Sequence, residues 1–77
     1  MTLIPFLNRM DRASRDDFLA RCDTTESYLR KAASIHQKLR PALCVRIERE
    51  TFGAVTRKDL RPDDWAEIWP ELVAEAA

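Results

Sequence analysis

Five polar residues between positions 25 and 31 have side chains that could contact the edges of base pairs. They are Thr25, Glu26, Ser27, Arg30 and Lys31. Arginine and lysine donate hydrogen bonds to guanine, glutamate accepts one from cytosine, and serine or threonine hydroxyls do either. Lys38 and Arg40 follow shortly afterwards and suit contact with phosphates, a role that Arg30 could also take. An ordinary helical surface in water has the same pattern, so these residues alone leave both interpretations open.

Catalytic and metal-binding chemistry finds little support in the residue types. His36 is the single histidine, and it has no zinc-ligand spacing to the two cysteines, Cys22 and Cys44. A cysteine nucleophile needs a base, an orienting group and oxyanion donors together, and the sequence suggests no such set. We therefore expect no enzyme, no metal and no cofactor. Buried, reduced thiols are the expectation for both cysteines, since each lies within an apolar pattern.

The net charge of the chain is zero, but the charges are unevenly distributed. Residues 27–47 contain five cations and no acid, whereas residues 62–77 contain five acids and no base. One cationic and one anionic segment predict a polarised surface. The chain contains no apolar run near the ~20 residues of a membrane span, and its apolar start is too short for a signal peptide. A cytoplasmic protein without membrane contact is therefore expected.

The spacing of apolar residues predicts a single all-helical domain over residues 1–77, with about five short helices. The presence of only one glycine disfavours a β fold rich in tight turns. The first three helices are predicted at residues 3–11, 15–22 and 26–34. Ser14 and Thr25 are predicted as N-caps of the second and third helices.

The second half of the chain begins with a fourth predicted helix, whose first residue is Pro41. Its inward positions are predicted to be Leu43, Cys44 or Val45, Ile47 and Phe52. Gly53 supplies the left-handed residue expected after its end. Thr56 caps a short turn, and Pro62 begins another that carries two tryptophans. Residues 71–77 are expected to form a short helical or frayed tail.

The second and third predicted helices form a candidate helix-turn-helix, with residues 23–25 as the turn. Apolar residues of the two helices are predicted to face each other, namely Phe18, Leu19 and Cys22 against Leu29 and Ala32. Such a unit places its second helix in the major groove of DNA. The outward residues of that helix are the polar residues of positions 25–31. The turn and the polar face thus favour a DNA-binding interpretation.

Two stretches of the chain resemble the Cro-like phage regulators and the YdaS-type antitoxins. Residues 18–31 read FLARCDTTESYLRK, which is similar to the helix-turn-helix of these proteins. Residues 45–49 read VRIER and residues 53–65 read GAVTRKDLRPDDW, which are similar to a longer and more particular family stretch. Three residues depart from the family pattern. Asp23 replaces a glycine of the turn, Leu19 replaces an alanine at the helix crossing, and Phe52 replaces the first of two glycines.

This resemblance implies a lambda-repressor-like or Cro-like fold and a sequence-specific transcriptional repressor. Proteins of this kind are implied to bind double-stranded operator DNA, usually as homodimers, in prophage or toxin–antitoxin loci. The implied location is the cytoplasm of a bacterial or phage-infected cell, in association with the nucleoid. A second hypothesis stays open beside it. The acidic segment 62–77, with Trp65 and Trp69, could bind a protein partner such as a toxin.

Overall fold

Short helices account for all the regular secondary structure in the described part of the chain. The computed structural model describes the backbone of residues 1–76 and the side chains of residues 1–74. Within these residues no strand occurs, which confirms the all-α fold class. The helices are α1 (Leu3–Arg9), α2 (Arg12–Arg21), α3 (Glu26–Ser34), α4 (Pro41–Glu50), α5 (Arg57–Leu60), α6 (Trp65–Ile68) and α7 (Pro70–Ala76). The predicted tail of 71–77 is thus helical through residue 76, and its last residue lies outside the described residues.

Side chains cap the N-terminal ends of several helices. Thr25 caps α3 as predicted, because its Oγ1 accepts a hydrogen bond from the backbone N–H of Tyr28 at 3.2 Å. The prediction for α2 was wrong. Its cap is Asp11, whose carboxylate accepts from the backbone N–H of Ser14 at 2.7 Å. The helix therefore begins three residues early, and Ser14 contributes its amide rather than its hydroxyl. Thr56 caps α5 as predicted, in a reciprocal capping box with Asp59.

Three helices end in the same way, each with a non-glycine residue in the left-handed conformation. Asp23, His36 and Phe52 follow α2, α3 and α4 with φ of 57°, 56° and 53°. After each, the next amide donates to the carbonyl five residues back, at 3.1, 2.8 and 3.0 Å. This is the Schellman arrangement. Gly53 is left-handed as predicted, with φ of 83°, but it lies one residue beyond the position that usually takes glycine.

The core draws on most helices and on the segments between them. Its buried members are Leu3, Leu7, Phe18, Leu19, Cys22, Leu29, Ala32, Leu39, Leu43, Cys44, Ile47, Val55, Trp69 and Leu72. Of the two alternatives on α4, Cys44 is buried and Val45 is 37% exposed. The inward placement of Phe52 was wrong, since this side chain is 95% exposed. The left-handed turn at the end of α4 interrupts the helical period by which Phe52 was assigned to the core.

The acidic C-terminal segment belongs to this core. Trp69 is 7% exposed, and Leu72 is buried beside it in the same cluster. Basic residues of α5 contact both tryptophans, with the Arg57 guanidinium 5.4 Å from the ring centre of Trp69 and Lys58 Nζ 4.5 Å from that of Trp65. These contacts are cation–π interactions. In the described residues, no helix is both long and apolar enough to cross a membrane.

Candidate nucleic-acid interface

The third helix buries one side and presents the other to solvent. Leu29 and Ala32 lie in the core, as predicted for the inner side. The exposed residues include Thr25, Ser27 and Lys31, which are three of the predicted site residues. Tyr28 was predicted on the apolar side, but 38% of this residue is exposed. The outer surface of α3 therefore carries two hydroxyl groups, an ammonium group and a phenol.

Glu26, the only acid of α3, is compensated by two arginines. Its Oε2 accepts a hydrogen bond from Nε of Arg30 at 2.7 Å. Its Oε1 lies 3.1 Å from Nε of Arg15, which belongs to α2. The hydrogen bond from Arg30, together with the two positive charges, lowers the pKa of Glu26. The carboxylate is ionised at neutral pH, and its charge is balanced within the protein.

Arg30 is held in a fixed orientation between α3 and α1. Besides its bond to Glu26, its Nη2 donates to Oδ1 of Asn8 at 3.0 Å. Arg15 continues the network, because its Nη1 lies within 3.4 Å of the carbonyl oxygens of Leu7 and Met10 at the end of α1. The network thus joins the first three helices. Among the described residues Nη1 of Arg30 has no hydrogen-bond partner, and 37% of the side chain is exposed.

This geometry decides which contacts Arg30 can make without rearrangement. A bidentate contact to guanine needs two adjacent nitrogens of the guanidinium group. Nε donates to Glu26, and Nη2 uses one of its two N–H groups for Asn8, so a contact through Nε would break the bond to Glu26. Both N–H groups of Nη1 and the second of Nη2 are available to an external acceptor, which can be a phosphate oxygen or a guanine edge. Glu26 and Asn8 act as positioning residues for the guanidinium group.

Lys31, Lys38 and Arg40 are all exposed but differ in their partners. Lys38 Nζ lies 3.5 Å from Oδ2 of Asp64. The two carboxylate oxygens of Asp64 also accept hydrogen bonds from Nε and Nη2 of Arg61. The hydrogen bonds from Arg61 lower the pKa of Asp64 to about 2. Lys31 and Arg40 form no ion pair with any side chain that the structure describes. Of these three residues, Lys31 and Arg40 therefore have the charges more available to an external anion.

The seven predicted site residues fall into two groups in the structure. Thr25, Glu26, Ser27, Arg30 and Lys31 share α3, whereas Lys38 and Arg40 belong to the following connection, and Arg40 is the N-cap of α4. None of the seven is buried. Asn8 and Arg15 were missed, because they reach the site through space from other helices. Tyr28 was missed because its ring fits the apolar spacing of α3.

Part of the segment that suggested a protein-binding tail is engaged within the fold, while its acids Asp63 and Glu67 are exposed. Trp69 is buried, Asp64 pairs with Arg61, and Glu71 lies 3.9 Å from Arg57. Within the described residues, no three His, Cys, Asp or Glu side chains come together as a possible metal site. Neither protein-family models nor curated proteins show a match to this chain. Its function is therefore inferred from its residues and their geometry.

Proposed function

We propose that the protein is a sequence-specific DNA-binding repressor that contacts the major groove through the outer surface of α3. The observation that carries this proposal is that α3 exposes several hydrogen-bonding side chains, while the charge of its one acid, Glu26, is compensated by two arginines. Arg15, Arg30 and Lys31 contribute three positive charges and Glu26 one negative charge, so the surface has a positive balance. A positive balance is what approach to a phosphate backbone requires.

The contacts divide into those that position the protein and those that select a sequence. Arg30, through Nη1, and Arg40 bind phosphates, which fixes the register of α3 on the duplex. Lys31 and Ser27 contact base edges, with lysine favouring guanine. Thr25 uses its hydroxyl to cap the helix and presents the remaining lone pair and proton at the same end. Glu26 holds Arg30 in place rather than accepting from cytosine.

Two features of the α2–α3 unit support groove binding. Four residues separate α2 from α3, and both helices contribute side chains to the common core. A nine-residue helix reads few base pairs, so useful selectivity calls for two copies on repeated half-sites. The resemblance to Cro-like and YdaS-type regulators supports operator binding by a homodimer. A phage switch and an antitoxin gene are both compatible with this proposal.

Selection from random duplex DNA at a stated salt concentration tests the proposal. We expect enrichment of one motif, arranged as an inverted repeat. On the selected site, Lys31→Gln should weaken binding by about 1–3 kcal/mol and relax the preference at one base pair. Arg40→Gln should weaken binding to all sequences alike. It should also reduce the slope of log affinity against log salt by about 1.

Lys58→Gln is the matched control for these variants. It removes the same charge from α5, where Lys58 lies over Trp65 rather than on α3. Its affinity for the selected site should stay close to that of the wild-type protein. Failure to enrich any motif would contradict the proposal, as would a Lys31→Gln affinity equal to that of the Lys58→Gln control.

A further inference from the structure

An apolar cleft lies between the start of α1, the end of α3 and the segment that follows α5. Its apolar walls include Leu3, Ile4, Ala33, Leu39, Leu60 and Pro62. The volume is about 450 Å³, and the cleft is half-open to solvent. Small-molecule sites in proteins have volumes of about 300–1,000 Å³ and combine apolar walls with a few polar groups. The cleft therefore has the size and the walls of a site for a small molecule.

Side chains of both charges line this cleft at one end. Lys38 lines it from the connection after α3, and Asp63 lines it from the segment after α5. Lys38 Nζ lies 3.5 Å from Oδ2 of Asp64, the residue that follows Asp63 in the chain. Because these two acids are adjacent, the ammonium group of Lys38 and the carboxylate of Asp63 belong to the same part of the cleft. A ligand that reaches one of these charges is close to the other.

Both charges are available to such a ligand. Asp63 is exposed and forms no ion pair with any side chain that the structure describes. Lys38 can leave its partner at little cost, because that carboxylate keeps its hydrogen bonds from Arg61 at 2.7 and 3.0 Å. Asp59, the other acid that lines the cleft, is already engaged, since its Oδ2 accepts a hydrogen bond from the amino group of Met1 at 3.2 Å. Asp63 is thus the acid that a cationic group of the ligand would contact.

We propose that this cleft binds a free α-amino acid with a large apolar side chain. The ligand side chain packs against Ile4, Ala33 and Leu60. Its carboxylate pairs with Lys38 and its ammonium group with Asp63. An α-amino acid carries both charges on one carbon atom, which matches two opposite charges at the same end of an apolar cleft. This binding requires no DNA, so it goes beyond the proposed function and is tested separately from it.

The size of the ligand and the open side of the cleft predict a modest affinity. Tryptophan has about 15 non-hydrogen atoms, which at the efficiency of ordinary ligands corresponds to a Kd of the order of 0.1–1 mM. The Lys38 side chain is 48% exposed, so water screens its pairing with the ligand. Loss of either ion pair should therefore weaken binding by about 2–5-fold. Loss of the apolar side chain should abolish binding, since it supplies most of the buried area.

Titration of the isotope-labelled full chain with L-tryptophan at neutral pH, without DNA and followed by NMR, tests the site. The backbone amides of Ala33, Leu39 and Leu60 should shift with a Kd of the order of 0.1–1 mM. Three analogues separate the contributions of the ligand. Indolepropionate lacks the ammonium group and tryptamine lacks the carboxylate, so each should bind about 2–5-fold more weakly. Glycine, which keeps both charges but has no apolar side chain, should cause no such shifts at the same concentrations.

Two variants assign each ligand charge to its partner. Asp63→Asn should weaken the binding of L-tryptophan to about that of indolepropionate, whose own affinity should not fall. Lys38→Gln should weaken it to about that of tryptamine. Glu67→Gln is the matched control, because it removes an exposed acid of the same segment that does not line the cleft. It should bind L-tryptophan as the wild-type protein does.

Several results would overturn the proposal. One is a titration in which the amides of the cleft do not shift. Another is equal affinity for L-tryptophan, indolepropionate and tryptamine, which indicates apolar binding without recognition of an amino acid. A third is an Asp63→Asn variant that binds L-tryptophan as tightly as the Glu67→Gln control. The spectra of the free variants show whether each one keeps the wild-type fold.

Discussion

Replacing Phe52 with glycine should stabilise the monomer. A side chain with a Cβ costs about 1–2 kcal/mol in the left-handed conformation. Relief of this strain stabilises the fold. Glycine offsets about 0.5–1 kcal/mol of that stabilisation, because it is more flexible in the unfolded chain. The ring is 95% exposed, so its removal sacrifices no packing. The difference is an increase of up to about 1.5 kcal/mol in the free energy of unfolding, with a midpoint of about 0.75 kcal/mol. For a domain of this size the midpoint corresponds to a rise of about 3–6 °C in Tm.

Urea denaturation followed by circular dichroism measures this change. The protein should be at about 1 µM, so that self-association does not contribute. Phe52→Ala is the control, because it removes the ring but keeps the Cβ and the strain. Its stability should lie within about 0.5 kcal/mol of wild type. If Phe52→Gly were less stable than wild type, the ring would be packed in solution and the strain argument would be refuted.

Three further outcomes follow from the core, the ion pairs and the thiols. Trp69→Ala should lower the free energy of unfolding by about 3–5 kcal/mol, whereas Val73→Ala, on an exposed position of α7, should change it little, as measured by urea denaturation. The pKa of Asp64 is lowered from 3.8 to about 2 in the fold, so its carboxylate stabilises the protein above pH 4, and this contribution is lost as the pH falls toward 2. Melting curves of Asp64→Asn should therefore show a weaker loss of Tm over that range than wild type. Burial raises the pKa of Cys22 and Cys44 to about 11, so a thiol reagent at pH 8 should modify neither until denaturant is added.

Local signals along the chain predicted the helices that present the candidate site. Thr25 and Pro41 begin α3 and α4 as expected, because capping and the fixed φ of proline act within one turn. The buried residues Leu29 and Ala32 followed from helical periodicity. The start of α2 was placed late, because both Asp11 and Ser14 are good caps. The choice between them depends on where α1 ends, which local sequence does not determine.

Contacts across the fold escaped prediction for a different reason. Asn8 and Arg30 are 22 residues apart, and no pattern along the chain links them before the helices are packed. The same holds for Arg15 and Glu26. In this network Glu26, which was predicted to contact a base, accepts a hydrogen bond from Arg30. The exposure of Phe52 was missed because an apolar residue near the end of an amphipathic helix is usually assigned to its buried side.

The three helix ends at Asp23, His36 and Phe52 have a consequence for how this chain tolerates mutation. Each holds a residue whose conformation glycine adopts more readily, and they lie after three different helices. Glycine substitutions there should act as second-site suppressors, restoring folding to variants damaged elsewhere. Their gains of a few tenths to one kcal/mol each should add if the three sites are independent. A library screened on a weakened core variant would be expected to recover changes at these ends repeatedly.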